Sequence, residues 1–269
     1  MHADTTDEVW HRLQADAEKL AAAEPVLASF VHATILGQAR LEQALAFHLA
    51  HKLANDDVGA LQVHEVFDEA LHDDPAIGRS VRADLTANYD RDPAVHTFVE
   101  PFLFFKGYQS LQSYRVMHWL WQRDRTALAF HFQSRVSEVF GVDVHPAAQI
   151  GSGIMIDHAT GVVIGETTVI EDDVSLLQGV TLGGTGKTQG DRHPKVRRGV
   201  MIGAGSKILG NTEIGAYSRI GAGSVVLQSV PPGSTAVGVP ARIVGEAGCA
   251  MPALEMDQII EQVALDYQI

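Results

Sequence analysis

Three histidines stand where most side chains are small or aliphatic. They are His145, His158 and His193, whereas the other ten of the 13 histidines precede residue 140. An imidazole with an ordinary pKa of about 6.5 can accept a proton from a hydroxyl group near neutral pH. His158 lies in the segment IDHATG, at the third position of a six-residue repeat, which predicts an outward-facing side chain. We therefore consider it a candidate general base, with an idle surface histidine as the alternative.

The repeat itself is a recurrence of aliphatic residues at every sixth position after residue 141. It runs in three phases: Ile150, Ile156, Val162; Ile164, Ile170, Leu176, Leu182; and Ile202, Ile208, Ile214, Ile220, Val226. An even period is compatible with strand alternation, and the frequent glycines suit corners that require positive φ. Six extended residues span about 20 Å. The pattern predicts a β-solenoid whose short flat strands stack their aliphatic side chains inside a prism.

One interruption of the repeat carries further polar residues. Leu182 and Ile202 are twenty positions apart, two more than three repeats, and the segment between them is rich in glycine and charge. We expect a loop near residues 185–196 that leaves the prism and contributes to function. Its TLGGTGKT segment resembles a phosphate-binding loop, but Thr181 replaces the first required glycine and no helical pattern follows. A nucleoside triphosphate site is therefore rejected.

The chain before residue 141 follows a helical pattern. Only four of the 25 glycines precede residue 141, and apolar residues recur there at spacings of three and four. This predicts a helical domain over residues 1–140, ending in one long helix from about Tyr108 to Phe140. The repeats then predict a solenoid domain over residues 141–245 and a flexible tail over residues 246–269.

Charge and cysteine content exclude several classes of function. The formal net charge is -13 at pH 7 and no long basic run is present, so binding to nucleic acid is not expected. The sequence lacks an apolar run long enough for a membrane span. Cys249 is the single cysteine, which rules out an intrachain disulfide and a cysteine-based zinc site. Together with an acidic, polar start, these features favour a cytoplasmic protein.

The segment GVDVHPAAQIGSGIMIDHATGVVIGE, residues 141–166, resembles the signature of the serine acetyltransferases. The segments RDPAV at 91–95 and GYQSLQSYRVMHWLWQRDR at 107–125 resemble the helical domain of the same family. The resemblance extends to about Gly245 and implies a left-handed parallel β-helix with an extruded loop, following an all-helical domain. It also implies transfer of acetyl from acetyl-CoA to the hydroxyl of L-serine, which gives O-acetyl-L-serine in cysteine biosynthesis.

The resemblance also assigns roles to the polar residues. His158 matches the general base, Asp143 matches the carboxylate that orients it, and His193 matches a group near the reacting centre. Four residues match groups that bind serine, the first two through its amino group and the others near its carboxylate: Asp92, Asp157, Arg192 and His193. Without the resemblance, these residues would be read as a helix cap before Pro93, a polar corner and a solvated loop.

Acetyl-CoA is implied as a co-substrate, with no tightly bound cofactor and no metal. A long groove with open backbone donors and a few cations would hold it. The residues that the resemblance places in this groove are Gly184, Thr185, Ala204, Gly205, Ala222, Arg219 and Arg242. The alternative is that the small residues only form the corners of the prism, and the two interpretations are compatible.

The resemblance implies several partners. Three chains would form a trimer with active sites between neighbouring chains, and the helical domains would join two trimers. L-cysteine would inhibit at the serine site. The terminal Ile269, with its free carboxylate, would insert into O-acetylserine sulfhydrylase, whereas the alternative is an inert disordered end.

Three rival functions are compatible with a prism of this kind. A carbonic anhydrase on the same prism binds a metal through three histidines, two of them spaced H-x4-H, which His145, His158 and His193 do not provide. A sugar acetyltransferase would lack the helical domain and the Asp92-Pro93 element. A purely structural solenoid would not turn over acetyl-CoA.

Overall fold

The computed structural model describes residues 7–186 and 189–259 and divides the chain into two compact units, which meet at Phe140 and Gly141. The first unit is helical. Its helices are α1 (Glu8–Ala23), α2 (Ala28–Val31), α3 (Leu41–Leu53), α4 (Ala60–Asp73), α5 (Pro75–Arg91), α6 (Val99–Phe104), α7 (Lys106–Trp121) and α8 (Thr126–Phe140). A 3-10 turn at Pro25–Leu27 precedes α2, and a π-helical turn at His32–Leu36 follows it.

Helix α7 lies at the centre of this unit, because almost every residue from Gly107 to Leu120 is buried. Burial of charge is tolerated there by pairing. The guanidinium of Arg115 donates to Asp84 Oδ2 at 2.6 Å, and the Gln112 side-chain amide donates to the same oxygen at 3.0 Å. The carboxylate of Asp84, which has no exposed surface, is thus satisfied by the helix that it packs against.

The single long helix expected from Tyr108 to Phe140 is wrong. The chain breaks at residues 122–125, where Asp124 adopts a left-handed conformation with φ of 57°. Short polar side chains such as aspartate tolerate this conformation better than most, and it reverses the chain. Helices α7 and α8 therefore pack against each other as a pair, instead of continuing as one rod.

The second unit is a parallel β-solenoid, as the repeats predicted. Its strands form three faces. Face 1 contains β1 (Val142–Val144), β4 (Val162–Ile164), β7 (Thr181–Gly183), β10 (Lys207–Leu209) and β13 (Val225–Val226). Face 2 contains β2 (Gln149–Ile150), β5 (Val169–Ile170), β8 (Lys195–Val196) and β11 (Glu213–Ile214). Face 3 contains β3 (Met155–Ile156), β6 (Ser175–Leu176), β9 (Met201–Ile202), β12 (Arg219–Ile220), β14 (Ser234–Gly238) and the antiparallel β15 (Ala241–Glu246).

The aliphatic residues of the repeat fill the interior of the prism. Ile164, Leu182 and Ile208 stack in register on face 1, and each is at most 1% exposed. Val196 also belongs to this set, because it pairs with Ile170 and has no exposed surface. It stands six positions before Ile202, so the repeat resumes at Val196 and the loop ends at Pro194. The loop therefore ends two residues earlier than the expected 185–196.

Two corners are longer than the rest, and they explain the changes of phase. Ile156 and Ile164 are eight positions apart, where Leu176 and Leu182 are six apart in the next coil. Leu182 and Val196 are fourteen positions apart, where Ile164 and Ile170 are six apart. Two extra residues therefore lie at the corner between faces 3 and 1, and eight extra residues at a corner between faces 1 and 2. We call these the His158 corner (157–161) and the extruded loop (184–194).

The structure differs from the expectation of a flexible tail over residues 246–269. Residues 247–259 lie against the solenoid: Ala253 donates its N–H to Gly199 O at 3.3 Å, and Ser175 Oγ donates to Ala253 O at 2.8 Å. A short helix, α9 (Pro252–Glu255), forms within this segment. Buried contacts of Pro252 and Ala253 explain the docking. The final residues, including Ile269, lie outside the described residues.

We predict that His48 makes the stability of the helical unit depend on pH. Burial lowers the pKa of this 2% exposed side chain from 6.5 to about 4. As the pH falls below 6.5, His48 takes up a proton in the unfolded chain, whereas in the folded chain it stays neutral until about pH 4. The free energy of unfolding should then fall by up to about 3 kcal/mol across this window.

Urea denaturation of the wild type and of His48→Gln between pH 7.5 and 4 measures this contribution. The variant should lose less stability than the wild type over this range, because it has no imidazole to protonate. Identical pH dependence in the two proteins would contradict the prediction.

Candidate active site

The His158 corner holds an imidazole on an unusual backbone. His158 and Ala159 both have positive φ, 55° and 59°, which residues other than glycine rarely adopt. The side chain of Ala159 is fully buried, which fixes the corner to the prism. The side chain of His158 is 73% exposed, and its Nε2 lies 3.8 Å from Asp157 Oδ1. The two extra residues thus project an imidazole and a carboxylate outward from a rigid base.

Asp143 lies on face 1, close to this corner. It stands in β1 between Val142 and Val144, whose side chains point into the core, so its own side chain points outward. Gly161, at the end of the His158 corner, donates its N–H to Gly141 O at 2.8 Å, two residues before Asp143. The solenoid therefore places the predicted base and the start of the strand that carries its predicted partner side by side.

A ladder of glycines continues from the His158 corner along the same edge of the prism. Gly161, Gly179, Gly205 and Gly223 have φ between 69° and 75°. Gly205 donates its N–H to Gln178 O and Gly223 donates to Ala204 O, at 2.8 and 2.7 Å. A side chain at Gly179 would meet the Cα of Gly205 at 3.4 Å. The Lys207 ammonium donates to Gly179 O, whereas an added Cβ at Gly205 or Gly223 would meet no atom within 4 Å. The edge near Gly205 and Gly223 is therefore open backbone flanked by Ala204 and Ala222, as expected of a groove for an extended ligand.

The base of the extruded loop brings Arg192 and His193 against the opposite edge of face 1. The Arg192 guanidinium donates to Glu166 Oε2 at 2.6 Å. The ring of His193 lies over Gly165, where an added Cβ would be 2.1 Å from its Cδ2. Gly184 is also close, since its Cβ would lie 3.4 Å from His193 Nε2. Glycine at position 165 thus leaves the space that the imidazole occupies.

The charges of this cluster are set by burial and pairing. The hydrogen bond from Arg192 lowers the pKa of Glu166, so the carboxylate stays ionised. Burial lowers the pKa of His193, and the charge of Arg192 lowers it further. Burial also lowers the pKa of His145. At neutral pH, His193 is therefore an uncharged imidazole beside an ion pair.

The two histidine sites lie at opposite edges of face 1. His158 precedes the strand β4, and His193 covers Gly165, which follows it. Gly161 and Gly165 are four positions apart in mostly extended chain, so their Cα atoms are about 13 Å apart. The width of face 1 therefore separates the backbone positions from which the two imidazoles project.

The other predicted residues fall in three different settings. Asp92 belongs to the helical unit, where it follows α5 and its Oδ1 accepts the N–H of Ala94 at 2.8 Å. Arg242 is exposed on β15. Thr185 follows Gly184 in the extruded loop, and its methyl group lies near Gly210.

Arg219 departs from its expected role as an open contact for phosphate. It is 6% exposed, and its Nη1 donates to the carbonyl oxygens of Asp257 and Ile259 at 3.2 and 3.0 Å. Its Nε donates to Thr235 Oγ1 at 3.4 Å. The guanidinium is therefore engaged by the docked C-terminal segment.

Three further residues shape the site without having been singled out from the sequence: Glu166, Thr167 and Lys195. They bond to Arg192, to His193 and to the carbonyls around them. Glu166 and Thr167 follow Gly165 at a corner of the second coil, the coil before the extruded loop. The change of phase after Leu182 was the only sequence feature that pointed to such residues, because a loop of eight extra residues must be anchored to the neighbouring coil. Only the structure shows which side chains anchor it.

Two negative findings apply to residues 7–186 and 189–259. None of the helices there combines the length and apolar character required to cross a bilayer. Within the same ranges, no three or more histidine, cysteine, aspartate or glutamate side chains are grouped as metal ligands would be.

We predict that Gly165→Ala displaces His193. The new methyl group would overlap the imidazole at about 2 Å, so the ring must leave its place over the corner. With serine and acetyl-CoA, the substrates that the resemblance implies, kcat/KM should fall about a hundredfold, the usual scale for a misplaced active-site group. Gly245→Ala is the matched control, because no atom lies within 4 Å of its added Cβ. Equal activities of the two variants would contradict the placement of His193 at the site.

Comparison with known proteins extends this picture to both units. The family described as serine acetyltransferase, N-terminal, matches residues 9–113, and the bacterial transferase hexapeptide family (six repeats) matches residues 193–228. The serine acetyltransferase of Salmonella typhimurium (strain LT2) is 57% identical over 258 residues, which cover 96% of this chain and 94% of that protein.

Three solved structures are similar over nearly their whole length. A serine acetyltransferase in complex with cysteine is 54% identical, with a TM-score of 0.93 over 94% of this chain and 98% of that one. The Brucella abortus S19 enzyme with coenzyme A is 51% identical, with a TM-score of 0.90 over 92% and 99%. The soybean enzyme complexed with serine is 49% identical, with a TM-score of 0.87 over 90% and 100%. By sequence and by fold, this chain belongs to the serine acetyltransferase family.

Proposed function

We propose that this chain transfers the acetyl group of acetyl-CoA to the hydroxyl of L-serine, with His158 as the general base. The observation that carries the proposal is the exposed imidazole at a corner that the solenoid lengthens by two residues and holds in a left-handed conformation. Strained backbone of this kind persists where the surrounding structure enforces it, and it is concentrated at functional sites. The reaction is inferred from membership of the family, and the general base is inferred from the geometry of the His158 corner.

The proposed chemistry requires one proton acceptor and no covalent intermediate on the protein. His158 removes the hydroxyl proton of serine as that oxygen attacks the thioester carbon. The tetrahedral intermediate then collapses, the C–S bond breaks, and the imidazolium returns the proton to the CoA sulfur. Asp143 orients the imidazole and stabilises its cationic form. An open backbone donor near the extruded loop would stabilise the oxyanion.

Serine carries a positive amino group and a negative carboxylate, and the proposed site offers groups for both. Asp157, next to His158, supplies a carboxylate for the ammonium, and the family resemblance assigns the same role to Asp92. Arg192 supplies a guanidinium for the carboxylate, which it can bind through two parallel hydrogen bonds. His193 lies beside Arg192 as a neutral donor near the reacting centre. L-cysteine presents the same two charged groups, so we propose that it binds here and inhibits, in line with the relative solved with cysteine.

The glycine ladder offers a path for the pantetheine arm of acetyl-CoA. It begins at the His158 corner and runs past Gly205, Ala204 and Ala222, where the backbone is not covered by side chains. Gly184 and Thr185 lie within the extruded loop, at the other end of β7 from Gly179, so on one chain they are at the opposite edge of face 1 from the ladder. Arg242 is an exposed cation that remains a candidate for a phosphate. A thioester lying along the glycine ladder would end beside the His158 imidazole. The relative solved with coenzyme A supports such a co-substrate.

The separation of the two histidine sites supports an oligomer in which neighbouring chains share the active site. Because the backbone positions next to His158 and His193 are about 13 Å apart along face 1 of one solenoid, we infer that serine contacts both imidazoles when they come from different chains. Val163 lies between them on face 1 and is 36% exposed, an apolar residue suited to an interface. We propose a trimer of solenoids, with the helical units joining two trimers. The single cysteine is compatible with the reducing cytoplasm, where we place the reaction.

The test of this function compares acceptors and one variant. Release of CoA from acetyl-CoA should be fast with L-serine and slow with threonine, homoserine or a sugar. His158→Ala should lower kcat with serine by about a hundredfold or more, the usual scale for a general base. His11→Ala, which removes an exposed histidine of α1, is the matched control and should retain the wild-type rate.

Two results would defeat the assignment. Near-normal turnover in His158→Ala would remove the proposed base, and preference for a sugar acceptor would favour the rival transferase. Absence of CoA release with every acceptor would favour a structural solenoid.

The tail ending in Ile269 is proposed to bind O-acetylserine sulfhydrylase through its terminal carboxylate. This part of the proposal depends on the sequence alone, because Ile269 lies outside the described residues. Removal of residues 260–269 should abolish binding to the sulfhydrylase in calorimetry. Acetylation of serine should remain, because the contacts of Ala253 and Asp257 with the solenoid are kept. Unchanged affinity after the deletion would exclude the tail.

A further inference from the structure

Thr167 occupies a central position at the base of the extruded loop. Its hydroxyl oxygen accepts the backbone N–H of Arg192 at 3.0 Å and that of His193 at 3.1 Å. The same hydroxyl lies 2.9 Å from His193 Nδ1, and the backbone N–H of Thr167 donates to that nitrogen at 3.2 Å. One side chain therefore contacts both residues that the loop contributes to the proposed site.

These bonds select one tautomer of His193. A backbone N–H is always a donor, so Nδ1 must accept, and the proton of the neutral ring must be on Nε2. Protonation of Nδ1 would place two hydrogens against each other. Nε2 is the nitrogen nearest Gly184 and Gly165, at the edge of face 1. The ring thus presents an N–H donor there and not a base.

Lys195 reinforces the arrangement from the other side. Its Nζ donates to Thr167 O at 2.7 Å, to His193 O at 2.9 Å and to Asp191 Oδ1 at 2.5 Å. Its side chain is only 17% exposed, so these bonds are partly shielded from water. The ammonium therefore ties the corner at Thr167 to the end of the loop just before the chain re-enters the prism at Val196.

We propose that Thr167 is a positioning residue, which holds Arg192 and His193 in register and fixes His193 as a donor through Nε2. The inference rests on the proposed roles of those two residues toward the carboxylate of serine and the reacting centre. It adds a requirement to the packing of His193 over Gly165 and the pairing of Arg192 with Glu166. Both depend on one hydroxyl of the neighbouring coil.

Thr167→Val tests the inference, because it keeps the shape of the side chain and removes the hydroxyl. The N–H groups of Arg192 and His193 then lose their acceptor, and both residues shift. We expect kcat/KM for serine to fall about ten- to a hundredfold, with a higher KM for serine and a lower kcat. The KM for acetyl-CoA should stay within about twofold of the wild type. Thr167→Ser, the matched control, should recover most of the activity because it restores the acceptor.

A double-mutant cycle with His193→Ala separates positioning from a general loss of structure. If Thr167 acts on kcat through His193, then Thr167→Val should change kcat by less than about threefold in the His193→Ala background. It should still raise the KM for serine there, because Arg192 remains misplaced. Lys195→Met provides a second test if Thr167→Val does not fold, and it should reproduce the same division between kcat and KM.

Several outcomes would overturn the inference. A wild-type kcat/KM for Thr167→Val, equal losses in Thr167→Val and Thr167→Ser, or an undiminished effect on kcat in the His193→Ala background would each do so. Wild-type turnover in His193→Ala would also remove the proposed role of His193. A slow His193→Ala with a normal Thr167→Val would overturn only the role of Thr167.

Discussion

The register of stacked coils is the constraint on which the rest of the solenoid depends. Ile164, Leu182 and Ile208 lie directly above one another in face 1, with almost no exposed surface. One residue added within a strand would move the aliphatic side chains that follow it to the outer surface and would bury polar side chains in their place. Additional residues are therefore accommodated only at corners, where they must project outward. The two longest corners carry His158 and the pair Arg192 and His193. The packing of the core therefore confines these candidate site residues to corners.

The two corners differ in how they are held, and this difference follows from their length. The His158 corner adds two residues, and the buried methyl group of Ala159 fixes it directly to the prism. The extruded loop adds eight, and its chain regains an interior position only at Val196. Between Gly184 and Pro194 no aliphatic residue of the repeat is present, so hydrogen bonds replace core packing. Thr167, Glu166 and Lys195 supply those bonds at the base of the loop.

The sequence predicted the architecture well because a six-residue period is a strong and local signal. It located the helical region, the prism and the position of His158 at an outward corner. The sequence did not reveal that Val196 is an interior residue, because the expected loop included it. It also did not reveal the break between α7 and α8, because the helical pattern on both sides hides one left-handed residue, Asp124. Glu166, Thr167 and Lys195 could not have been found from the spacing. Their roles come from contacts between coils, 25 to 28 residues apart in the chain, which a period of six does not encode.

The geometry of face 1 also bears on how such an enzyme can recognise a molecule as small as serine. Face 1 is built of strands only two or three residues long, which turn side chains such as those of Asp143 and Val163 outward. His158 lies at one edge of face 1 and Arg192 at the other. We propose that both contact the same serine when face 1 of a neighbouring chain packs against this one. In the proposed trimer, each chain would contribute its His158 corner to one site and its extruded loop to another. Under the proposed assembly, association would form part of the active site, because a solenoid builds its interior by repetition and the cleft would lie between copies.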